Sequence, residues 1–122
     1  MTNETMKHYY IRRSDTKQPI ACVAFNENED GTVNRGISIC STREIFSKNK
    51  ARNKAIGRLV SATKHKVNGH PIRTENMEHE GLKWYMFQLE GILDPGGSDT
   101  MAKFKSCYQD TPNDIEVSIL KP

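Results

Sequence analysis

The sequence is short of cysteine, of apolar residues and of long apolar runs, and each shortage excludes something. Its three cysteines, Cys22, Cys40 and Cys107, are odd in number and widely spaced, so they do not form a disulfide framework. No pair has C-x-x-C spacing, and the four histidines (His8, His65, His70, His79) give no H-E-x-x-H helix. The cysteines therefore read as reduced core or near-core residues, and neither a metal nor a cofactor is expected. Only 35% of the 122 residues are hydrophobic, and the longest apolar run, Ile20 to Phe25, has six residues. A membrane-crossing helix needs about 20. The N-terminus, Met1-Thr2-Asn3-Glu4-Thr5-Met6-Lys7, lacks the basic start and apolar stretch of a secretory signal. The expectation is a soluble cytoplasmic protein with no membrane partner. There is no phosphate-cradling glycine loop and no G-x-S-x-G elbow. Asp15-Thr16-Lys17 has the D-x-K form of metal nucleases, but only Glu4 precedes it. Glu78-His79-Glu80 is a compact acid and imidazole group that could hold a metal or move a proton, and a small metal-dependent nuclease is the weakest of the readings kept. The chain is expected not to be an enzyme.

The residues present suit a single α+β domain over 1–122. Residues 7–13 are rich in strand formers, and Pro19 opens Ile20-Ala21-Cys22-Val23-Ala24-Phe25, apolar on both alternating faces and so expected to be buried on two sides. Asn26 to Gly31 is a turn signal ending in Asp-Gly. Thr32 to Cys40 places Val33, Ile37 and Ile39 on one face, which makes a hairpin with the preceding strand. Ser41-Thr42-Arg43-Glu44 has the form of a capping box, and residues 45–66 carry apolar groups at helical spacing, with a break near Ser47-Lys48-Asn49 and a stop at Asn68-Gly69. Beyond it the pattern reads best as a strand over Leu82 to Leu89, where helical spacing fits about equally and a helix is the alternative, then a loop at Asp94-Pro95-Gly96-Gly97-Ser98, a short helix carrying Met101, Phe104 and Tyr108, and a closing strand over 114–120. The only tryptophan, Trp84, lies beside Tyr85 and is expected in the core. The resulting fold is an antiparallel sheet of about four to five strands, with a basic central helix and a second short helix on one face.

Charge is the most uneven property. Residues 42–66 carry eight Lys or Arg and one acid, a balance of +7; the rest of the chain is at −4, which recovers the overall +3. On a helical projection Ala55, Ile56, Leu59, Ala62 and Thr63 group on one side, and Lys50, Lys54, Arg58, Lys64 and His65 on the other, with Gly57 and Ser61 among the cations. Lys48, Lys50 and Arg52 lie near the helix start, where the macrodipole disfavours cations by about 0.3–1 kcal/mol each. A partner accounts for these costs; a face that is merely solvated, or compensated within the fold or a homo-oligomer, is the alternative. Arg12-Arg13 beside Tyr9-Tyr10 is a smaller basic pair that suits either cross-strand packing or base stacking. Lys48, Lys50, Lys54, Arg58 and Lys64 are thus the candidate binding residues, and an acidic protein surface, a nucleoprotein complex or nucleic acid itself is the candidate partner.

One stretch carries a resemblance. Arg35-Gly36-Ile37-Ser38-Ile39-Cys40-Ser41, followed by Phe46, Arg52, Ala55 and Gly57-Arg58, resembles small uncharacterised accessory proteins of bacteriophages and mobile elements. The resemblance covers about residues 35–58 and ends by residue 66. It implies a phage-like protein acting in the bacterial cytoplasm, where it would bind and block host machinery such as nucleic-acid-guided (anti-CRISPR type) defence complexes. It carries over no catalytic residue.

Overall fold

In a computed structural model, the described residues are 6–12, 19–39, 47–70 and 104–121. They form β1 (Lys7–Arg12), β2 (Pro19–Glu27), β3 (Val33–Ile39), α1 (Lys48–His65), β4 (Ser106–Asp110) and α2 (Asp114–Leu120). The strands make one antiparallel sheet in the order β1-β2-β3-β4. This is the α+β fold expected, with one main helix against the sheet and a short helix at the C-terminal end.

The β2–β3 hairpin follows from its turn. Gly31 takes a left-handed φ of 87°, which costs glycine nothing. Asp30 accepts from both the backbone and the hydroxyl of Thr32 to close the loop. Ala21 through Phe25 are fully buried, as the two-sided apolar run requires. Alternation then divides the sheet. Tyr10, Cys22, Ala24, Asn34 and Gly36 face α1, where Cys22 and Ala24 pack with Ala51, Ala55 and Leu59. Tyr9, Ile11, Val23, Phe25, Val33, Arg35 and Ile37 take the opposite face.

Gly36 fixes how closely α1 lies. A Cβ there would overlap the Ala55 carbonyl oxygen and the Leu59 amide nitrogen, so helix backbone rests directly on strand backbone. The break near Ser47 is the start of α1: Ser47 is the N-cap, its hydroxyl 3.4 Å from the Lys50 amide. The helix ends at His65, with Lys66 in the left-handed cap conformation (φ 57°) donating to the Ala62 carbonyl.

The C-terminal third departs from expectation in two places. Phe104 forms an isolated bridge and Tyr108 lies in β4, so a helix through them is corrected to a strand. Residues 114–120 are helical, not the closing strand their alternation suggested. The cause is local. Asn113 accepts from the Glu116 amide at 2.9 Å while the Glu116 carboxylate accepts from the Asn113 amide at 3.1 Å, a complete capping box. In β4, Tyr108 and Gln109 both stand opposite Asn34, a bulge with Gln109 at φ 53°. Side-chain amides fill it: Asn34 accepts from the Gln109 amide and Asn68 from the Tyr108 amide. The expectations at Cys40, Ser41 to Phe46, Glu78-His79-Glu80, Leu82 to Leu89, Trp84, Asp94 to Ser98 and Met101 lie outside the described residues.

Candidate functional site

Helix α1 presents the basic face on which the sequence reading rests. Its 18 residues contain no acid in the first turn, and Ala51, Ala55, Leu59 and Ala62 are buried. That stripe is turned by about 45° from the expected apolar side, counting 100° per residue. Ile56 and Thr63 are only half-buried, and the turn carries Arg58 to the sheet boundary.

The five candidate residues therefore separate. Lys48, Lys50, Lys54 and Lys64 are exposed, whereas Arg58 is half-buried and donates from Nη1 to the Ile37 carbonyl. Burial lowers the Arg58 guanidinium from its ordinary value. Arg58 thus ties α1 to β3 as well as adding charge. Arg52 donates to Asn49 within the helix at 3.3 Å. Gly57 is exposed with open space around it, and Val60 and Ser61 are exposed beside it. Among the described residues, no carboxylate pairs with Lys48, Lys50, Arg52, Lys54, Arg58 or Lys64.

Folding also joins the two basic segments of the sequence. Lys48 Nζ lies 5.4 Å from the centre of the Tyr10 ring and the Arg12 guanidinium 5.8 Å from the same centre, with His8 edge-on at 5.7 Å. The ring is held between β1 and the start of α1, where two cations already lie over it. That favours cross-strand packing over a base-stacking platform.

The polar cluster that the sequence reading missed lies on the opposite face. Arg35 and Glu116 are both fully buried, and they pair through Nε to Oε2 at 2.7 Å and Nη2 to Oε1 at 2.6 Å. Nη1 meets Asp110 at 2.5 Å, and Nη2 also donates to the Thr111 carbonyl at 2.8 Å. Tyr9 donates to Glu116 at 3.0 Å and accepts from Asn113 at 3.1 Å. Burial, then the Glu116 charge, pushes the Tyr9 hydroxyl well above its ordinary value. The Arg35 guanidinium is raised: burial opposes its charge, but the hydrogen bonds and charge of Glu116, with the Asp110 charge behind them, together outweigh it. All three guanidinium nitrogens are engaged, and the cluster's evident work is to hold α2 to the sheet. Asn113-x-x-Glu116 was its visible signal in the sequence.

Neither described cysteine is poised for chemistry. Burial is the main cause that pushes Cys22 and Cys107 up to about 11, which keeps both as thiols at neutral pH. Among the described residues no group of three His, Cys, Asp or Glu could hold a metal ion, and no helix is long and apolar enough to cross a membrane. Set against family models, curated proteins and solved structures, the chain matches none of them.

Proposed function

We propose that the chain is a small non-enzymatic, phage-like binding protein that modulates a nucleic-acid-handling host complex, docking the exposed basic face of α1 on an anionic surface of that complex. The single observation that carries this reading is the row Lys50, Lys54 and Lys64 on one face of α1, with Lys48 at its start, all exposed and without a carboxylate partner among the described residues. Cations at a helix start oppose the macrodipole, so they cost stability where nothing offsets them. The buried Gly36 approach and the Arg35–Glu116 pair supply the rigid body that presents the face.

The test is affinity capture from a bacterial lysate, with and without nuclease, using the natural chain and a Lys50→Glu/Lys54→Glu/Lys64→Glu variant. The natural chain retains a complex containing a nucleic-acid enzyme, and the variant loses it. Equal recovery by both proteins would overturn the reading. Arg58 is left out of the variant because its guanidinium also holds α1 to β3.

A further inference from the structure

The exposed cations of α1 fall into two groups. Lys48, Lys50 and Lys54 occupy the first turns, with the half-buried Arg52 among them and Arg12 brought near Lys48 over Tyr10. Lys64 and Lys66 occupy the last turn and the cap. Between them the fully exposed positions, Gly57, Val60 and Ser61, are neutral, and the half-buried Arg58 is turned to the Ile37 carbonyl of β3. Lys54 and Lys64 are about 15 Å apart along the axis, at 1.5 Å per residue.

This spacing suits one polyanion in particular. The major groove of B-form DNA is about 12 Å wide, with a phosphate row on each wall. From these observations, and resting on the proposed function above, we infer that α1 lies across the major groove of a DNA duplex, one cation group on each phosphate row. The neutral stretch then sits over the groove. Gly57 and Val60 have no side-chain hydrogen-bonding group and the Ser61 hydroxyl lies 3.4 Å from His65 Nδ1, so that stretch has little with which to read bases, and the interaction is expected to depend weakly on sequence. Tyr10 already has cations over its ring, which argues for duplex over single-strand stacking.

The test is fluorescence anisotropy with a labelled DNA duplex of about 20 base pairs, its single strand and polyglutamate, titrated across salt concentrations. Two variants neutralise one group each: Lys50→Gln/Lys54→Gln and Lys64→Gln/Lys66→Gln. All four positions are exposed, and unfolding midpoints confirm that both variants fold. The duplex is expected to bind most tightly, and each variant to lose at least fivefold in affinity. With about 0.9 counterion released per phosphate neutralised, each variant's slope of log K against log salt becomes shallower by about 1.8. If only one variant loses affinity, or if the single strand or polyglutamate binds as well as the duplex, the two-row arrangement is wrong. If no duplex binding occurs at low salt, the inference fails, while capture of the host complex that depends on the α1 lysines would leave the broader reading standing.

Discussion

Arg35 carries a charge at a position with no measurable solvent exposure, and only its partners make that tolerable. Removing one member of a buried pair strands the other, at a cost of about 3–5 kcal/mol. Arg35→Met is therefore expected to lower the unfolding free energy by that amount in urea titration, and a loss below about 1 kcal/mol would show that Glu116 finds other solvation. Adding Glu116→Leu to Arg35→Met removes the stranded carboxylate and is expected to recover much of the loss. The thiols add a pH dependence. Their folded values lie above the ordinary one, so the stability they contribute is complete below the ordinary thiol value and is lost as pH rises towards about 11. Urea midpoints should fall across that alkaline window, and a Cys22→Ala/Cys107→Ala chain should fall less. A natural chain no more alkali-sensitive than that variant would contradict the assignment.

At the scale of elements, two glycines on the packed pair β3 and α1 make opposite predictions. Gly36→Ala forces β3 and α1 apart and is expected to cost about 1–3 kcal/mol or more, as overpacking does. Gly57→Ala meets nothing and removes a helix-interior glycine, so it should raise stability by about 0.8–1 kcal/mol. Thermal unfolding of both variants checks the pair, and a stable Gly36→Ala would contradict direct backbone packing. The same elements show what was legible in the sequence. The first three strands and α1 were readable because long runs of one period leave little choice: β2 is apolar on both faces, and α1 repeats its small apolar residues every three to four positions. The C-terminal elements were not, because they are short. Over the seven residues of α2, Ile115, Val117 and Ile119 alternate like a strand, and the Asn113–Glu116 cap and the Arg35 pair decide for the helix. β4 spans five residues and contains a bulge that spoils its alternation, and Asn34, distant in sequence, completes it.

At the scale of the whole molecule, the sequence is polarised: +7 over residues 42–66 and −4 over the rest of the chain. The sequence showed which segment is basic and which lysines would be exposed, but it placed Arg58 with the exposed cations and kept Arg12 apart from the start of α1. Both errors come from rotation and register, which only packing sets. Arg58 depends on the turn of α1 against Gly36, and Arg12 on the register that places Tyr10 beside the start of α1. The central claim is that location on α1, rather than net charge, determines binding. It is tested most directly by comparing capture of the host complex by two variants of equal charge. Lys50→Glu/Lys54→Glu alters α1, and Lys7→Glu/Lys121→Glu makes the same change on exposed residues elsewhere. The account predicts that the first loses the complex and the second retains most of it, at matched unfolding midpoints. Equal losses would show that the protein is drawn to its partner by charge alone, and would contradict it.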